Sequence, residues 1–170
     1  MVNLSIYFLV LGSISGWLLE IIFKTVIIKE KNAQAGMSKG PFCLLYGVGT
    51  FFLAVFLAKY SSNILVLFII SLIVLTCLVY ITGVLLDKVF NIELWNYSEL
   101  RFGINKYISL EFMIMWGVLG VIFVVFLFPI LTNIYYLFYC PLSILILYVI
   151  FSTMIIDYLY TSIRHLGYKV

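Results

Sequence analysis

Charge is what this chain has least of. Of its 170 residues, ten are Lys or Arg and seven are Asp or Glu, 10% in all, where a soluble domain carries about 25%. With 65% hydrophobic residues and a mean hydropathy of +1.23, the scarcity excludes a water-soluble globule. About 20 apolar residues cross a bilayer as a helix. The apolar content therefore suffices for about five crossings, and residues 1–170 read as a single membrane domain of a multi-pass protein in the cell (plasma) membrane.

Other absences narrow the chemistry. The three cysteines, Cys43, Cys77 and Cys140, are scattered, odd in number and free of CxxC or Cys/His spacing, which argues against a disulfide framework or a structural zinc. No metal, cofactor or catalytic residue is assigned. There is no GxxxxGK[ST], so this chain has no P-loop with which to hydrolyse ATP. Nothing in the charge pattern supports nucleic-acid binding. No Lys or Arg precedes the first apolar run, so a cleavable signal peptide is not expected and the run should stay as the first membrane helix. None of the apolar runs alternates with period two, which leaves helices rather than barrel strands and makes the fold class all-α. There is no internal repeat and no low-complexity tract.

What is present is a series of runs long enough to span, at about 4–28, 41–58, 62–86, 108–130 and 135–160. On this five-helix pattern Lys24, Lys29, Lys31, Lys39, Lys88, Arg101, Lys106, Arg164 and Lys169 fall on one side and Lys59 on the other. The positive-inside rule then puts the N-terminus outside and the C-terminus in the cytoplasm. Residues 59–63 and 131–134 read as tight outer turns. The loop at 88–107, KVFNIELWNYSELRFGINKY, is the substantial one. Its aromatics interleaved with charges suit the headgroup region, so it is expected to lie in the cytoplasmic interface or to fold back under the bundle.

In a membrane helix the informative residues are small or polar, because apolar side chains gain little by preferring protein to lipid. Gly12, Gly16, Glu20 and Lys24 recur every four residues; Gly47 lies on a small-residue face of the second helix and Gly83 on a polar face of the third. Gly12, Gly16, Gly47 and Gly83 are expected to pack helices closely. A mid-membrane charge costs about 2.5–3.5 kcal/mol, so Glu20 needs a partner, and Lys24 one turn on can supply it. The alternative is that Glu20 faces a polar cavity. Asp87, Glu111 and Asp157 fall near the same side, either as solvated helix ends or as part of a vestibule. Cys43 and His165 also map there and could pair as thiol and imidazole, although a Cys at a helix start is commonly a small buried residue.

Three stretches in order, GWLLE (16–20), GPFCLLYGVG (40–49) and YITGVLLDKVFNIELWNYS (80–98), followed by Trp116–Gly117, resemble a family of small bacterial membrane proteins, the type IV ABC-transporter permeases. The resemblance covers about residues 16–117. Its motif positions fall on Gly16, Trp17, Glu20, Gly40, Pro41, Tyr46, Gly47, Tyr80, Gly83, Trp95, Tyr97 and Ser98. The chain departs from the pattern at Asn96, where the family reads WDYS, and at Val79, where it carries an acid; a further family acid appears as Asp87. The resemblance implies a bacterial membrane subunit working with a separate ATPase.

The reading that follows is a transport subunit whose cytoplasm-facing polar residues, Glu20, Tyr46, Tyr80, Asp87, Trp95, Asn96, Tyr97, Ser98 and Glu111, contact a substrate or gate a path. Transport sites commonly form between repeats or subunits, so a chain without repeats implies a homodimer or another membrane subunit beside the lipid bilayer. Two alternatives stand: an accessory or assembly protein that binds another membrane protein, and a membrane enzyme acting on a lipid-linked substrate with Glu20 or Glu111 as acid or base.

Overall fold

The computed structural model describes residues 2–29 and 35–167. Lys31 and Lys169, which count in the charge asymmetry, lie outside the described residues, as does much of the 29–40 loop. Among the described residues there is no strand, only an isolated bridge between Gly103 and Ser109. The helices are α1 (Val2–Ile22), α2 (Leu44–Phe52), α3 (Ile64–Leu85), α4 (Leu110–Ile122), α5 (Phe128–Leu137) and α6 (Pro141–Gly167). Wider π-helical turns extend α1, α2 and α3, and one at Phe123–Leu127 joins α4 to α5 as a single span.

Among the described residues, four helical spans are long and apolar enough to cross a membrane: Val2–Val26, Ile64–Phe90, Leu110–Leu137 and Pro141–Leu166. The second helical segment, Leu44–Tyr60, is apolar but shorter. The helices coincide with the apolar runs except at the last turn. Residues 131–134, expected as a loop, continue the helix to Leu137, and the chain reverses at 138–140. Pro141 explains the shift: it disfavours helix at the residue before it and starts the next one as its first residue. The turn is closed by the Ser143 hydroxyl, which accepts from the Cys140 amide at 3.0 Å.

The chain forms two compact units. The first comprises Met1–Phe51 and Tyr135–Val170. Here α1 and α2 meet through glycine. A Cβ on Gly16 would overlap the Tyr46 ring, one on Gly12 the Thr50 side chain, and one on Gly47 both Ser13 and the Leu9 carbonyl. Gly12 facing Thr50 and Gly16 facing Tyr46 make the pair antiparallel. At the other contact of α1, the Tyr148 hydroxyl donates to Asn3 at 2.8 Å. Ten residues further along both helices, Phe42 and Cys43 bridge them. The Cys43 amide donates to the Ser13 carbonyl at 2.9 Å and the Tyr158 hydroxyl to the Phe42 carbonyl at 3.0 Å. Ten residues are about 15 Å of helix, so α1 and α6 run parallel and in register.

The second unit is Phe52–Ile134. Its α3 and α4 form an antiparallel hairpin, with Gly117 against Phe68 and Leu72 and Gly120 against Ser71. Leu53, Leu57, Leu67, Leu75 and Val124 fill its core. Both α3 and α4 start on side-chain caps, Asn63 accepting from the Val66 amide at 3.1 Å and Ser109 from the Phe112 amide at 3.4 Å. Large apolar side chains elsewhere stay open, Ile81 at 60% and Ile156 at 64% exposure among them. Patches of this kind are costly in water and ordinary against lipid.

Candidate functional site

The densest polar constellation lies at the end of α3. Asp87 sits in the π-helical turn Leu86–Phe90, which ends on Asn91 in the left-handed conformation, φ 55°. That reversal sends the chain back over the helix. Asp87 Oδ2 then accepts the Tyr107 hydroxyl at 2.6 Å and Oδ1 the Lys106 ammonium at 3.2 Å. Lys106 also pairs with Glu93, and the Trp95 indole donates to the Tyr107 carbonyl at 3.2 Å. Tyr80 meets Tyr107 edge-on at 5.8 Å. The floor is Gly83, where a Cβ would stand 3.0 Å from the Tyr107 ring and 3.3 Å from that of Trp95. Gly83 thus packs a loop against a helix rather than one helix against another.

Asn96 explains its own departure from the family pattern. Its Nδ2 donates to Glu93 at 3.0 Å while its Oδ1 accepts from the Ser98 amide and hydroxyl at 3.0 and 2.6 Å. An aspartate there would set a second carboxylate against Glu93 and leave it without that donor. Tyr97 stacks on Phe112 at 4.5 Å. Hydrogen bonds first from Lys106 and then from Asn96 hold the Glu93 carboxyl below the usual carboxylate range, and Glu93 and Asp87 hold the Lys106 ammonium above its ordinary value. The Tyr107 phenol is pushed up by its bond to Asp87. Gly83, Leu86, Asp87, Glu93, Trp95 and Tyr107 line a cleft with room for about one water molecule.

Glu20 and Tyr46 belong to the first unit and form a different arrangement. Glu20 pairs with Lys24 at 3.0 Å on the same helix and accepts from the Cys43 thiol at 3.6 Å. Cys43 is buried at 4% exposure, so its thiol serves Glu20 and lacks the open approach of a nucleophile. Tyr46 packs its ring on Gly16, and its carbonyl accepts from Thr50 at 2.7 Å. Glu111 is exposed in the first turn of α4, where a negative charge favours the helix N-terminus.

A second carboxylate in this unit, Asp157, expected as a solvated helix end or part of a vestibule, has definite partners. Asp157 Oδ2 accepts the Ser38 hydroxyl and the Gly40 amide, the latter at 3.0 Å, and Lys39 lies over the Tyr160 ring at 5.2 Å. With Tyr158, whose hydroxyl also accepts from the Leu44 amide at 2.6 Å, α6 fastens the strap that leads into α2. Lys106, Glu93 and Tyr107 were likewise missed as partners. The signal for them was weak, since only the αL turn at Asn91 brings residues about 19 apart together. Among the described residues no group of three His, Cys, Asp or Glu is placed to hold a metal ion.

These features define a class: an all-helical, multi-pass membrane protein whose two largest described loop segments are fastened to helices by carboxylates. Within that class, the family described as "Putative ABC-transporter type IV" matches residues 6–162, and the chain belongs to it. No curated protein and no solved structure matches the chain.

Proposed function

We propose that the chain is a permease-type transport subunit of the plasma membrane, in which the loop tied to Asp87 is a preformed platform for a separate ATPase. The observation that carries this is the Asp87–Tyr107–Lys106–Glu93 network, which holds 91–107 in one conformation at the end of a membrane helix. ATP hydrolysis has to come from another chain, because this one has no P-loop. The cleft beside Asp87 is small, which favours a path between this chain and a second copy or another membrane subunit.

Five crossings fit the first unit best. With α1 and α6 parallel, the number of crossings from first to last is odd, and α2 packs antiparallel on α1 as a crossing helix would. Under the positive-inside rule the N-terminus is then outside and the Asp87 platform in the cytoplasm. Cys140 offers a native reporter: the Ser143 amide holds its exposed thiol below the usual value, which favours the reactive thiolate. An impermeant thiol reagent added to intact cells should label Cys140 and a cysteine at Ser62, and leave one at Ser38 unlabelled. Label at Ser38 alone reverses the orientation.

The function itself is tested by purifying the tagged full chain from native membranes. A co-purifying P-loop ATPase whose hydrolysis is raised by the wild-type chain and not by Asp87→Asn supports the reading. The small cleft favours one competitor, an accessory protein that assembles another membrane protein. Recovery of a non-ATPase membrane protein in its place would favour that one.

A further inference from the structure

The loop at 88–107 divides into two parts with different surroundings, and the second part faces away from the Asp87 network. Residues 91–98 and 105–107 are tied to α3 and α4. Between them a finger projects: the Leu100 amide donates to the Tyr97 carbonyl at 3.1 Å, the Gly103 amide to the Leu100 carbonyl at 3.0 Å, and the Ile104 amide to the Ile108 carbonyl at 3.1 Å. Gly103 passes so close to the Tyr97 carbonyl that a Cβ could not fit there. Leu100, Phe102 and Ile104 stand out from the finger at 39%, 50% and 60% exposure. Such residues in water would be a cost without a return.

The finger's height is fixed by one hydrogen bond. The amide of Leu110, the first residue of the span Leu110–Leu137, donates to the Phe102 carbonyl at 3.0 Å, and the bridge from Gly103 to Ser109 sits beside it. Phe102 is therefore level with the first residue of that apolar span. Leu110 itself adds an open apolar side chain at 45% exposure. Arg101 is exposed, with its guanidinium 5.3 Å from the Phe102 ring, and no carboxylate pairs with it among the described residues. An apolar tip level with the start of an apolar span, carrying an uncompensated guanidinium, matches a layer of anionic phospholipid headgroups over acyl chains.

We infer that residues 100–104 form a lipid-anchoring finger that inserts Leu100, Phe102 and Ile104 into the membrane interface and sets Arg101 against the phosphates of anionic lipids. This goes beyond the transport reading and does not depend on it or on the orientation. The test uses the full chain with the exposed Cys77 and Cys140 replaced by Ala. A nitroxide is placed at Phe102→Cys, Ile104→Cys or Glu99→Cys, and each variant is reconstituted in vesicles of phosphatidylcholine with or without phosphatidylglycerol. At 102 and 104, relaxation by oxygen should exceed relaxation by a water-soluble nickel chelate several-fold relative to 99. The excess should grow when phosphatidylglycerol is present, and Arg101→Gln should abolish that growth. Chelate-dominated relaxation at 102 and 104 puts the finger in water or beneath a protein partner and overturns the inference. An excess indifferent to phosphatidylglycerol overturns the headgroup assignment. The two label sites guard against one substitution merely unsettling the loop.

Discussion

Both units use an aspartate on a long apolar helix to fasten a loop, yet they do it by different physics. Asp157 takes the Ser38 hydroxyl and the Gly40 amide on a single oxygen, both neutral donors. Asp87 spends one oxygen on Tyr107 and the other on the Lys106 ammonium, which Glu93 shares. A strap held by neutral donors responds little to salt. A charged clamp only partly shielded from water, with Asp87 and Lys106 at 23% and 33% side-chain exposure, weakens as salt screens it. The fastening in the second unit is accordingly the more salt-sensitive one.

The contrast can be broken most forcefully at its packing. Gly47→Leu sets a side chain against the Leu9 carbonyl, which is backbone and cannot turn aside. It should cost about 3 kcal/mol or more, read as lost abundance and a large fall in Tm in detergent. Gly83→Ala meets only the Tyr107 and Trp95 rings at 3.0 and 3.3 Å, so a loss of about 1 kcal/mol is expected. Close to Gly47→Leu in size is Lys24→Met, which leaves Glu20 without its cation within a span and should cost up to about 3 kcal/mol. Replacing Glu20 and Lys24 together with apolar residues should recover most of it, because no orphan charge remains. Loss of transport in a well-folded double variant would instead show Glu20 at work in a cavity.

The aspartates themselves come third. Asp157→Asn can present its one carbonyl oxygen to both donors and should leave Tm nearly unchanged. Asp87→Asn has one carbonyl oxygen for two donors on opposite sides, so it should loosen Trp95 and shift its fluorescence in a chain with Trp17 and Trp116 changed to Phe. The smallest effect is on pH. Glu93 is held below the ordinary carboxylate range, so its contribution is present above that range and lost as pH falls through the lowered value. Lys106 is held above its ordinary value, so its contribution is present below that value and lost as pH rises through the raised one. The Trp95 signal should therefore be flat at neutral pH and shift at both extremes.

Helical type was legible because lipid forces long apolar runs to be helical and leaves few alternatives, although the second run forms a helix shorter than the other four. The last turn was misplaced because Thr132 and Asn133 suggest a loop, while the helix runs on until Pro141 restarts the chain. Asp87 and Trp95 could be singled out as polar or aromatic residues beside a membrane. Their partners could not, since Lys106 and Tyr107 reach Asp87 only through the left-handed turn at Asn91, and no periodicity predicts a positive φ at a residue other than glycine. Gly12 and Gly16 were readable as a packing face, but spacing alone does not say whether the neighbour is α2 or another chain. Asp157 was hidden for a similar reason: its donors lie 117 and 119 residues away.

That charge holds the platform while neutral donors hold the strap can be read from hydrogen–deuterium exchange on the full chain at low and high ionic strength. Peptides covering 91–107, where the Tyr97 amide is bonded to the Lys106 carbonyl at 2.9 Å, should exchange faster as salt screens the Asp87–Lys106–Glu93 network. Peptides covering 35–43, where the Gly40 and Cys43 amides are bonded, should keep their protection. Equal response of the two segments, or a strap more sensitive to salt than the platform, would contradict the account.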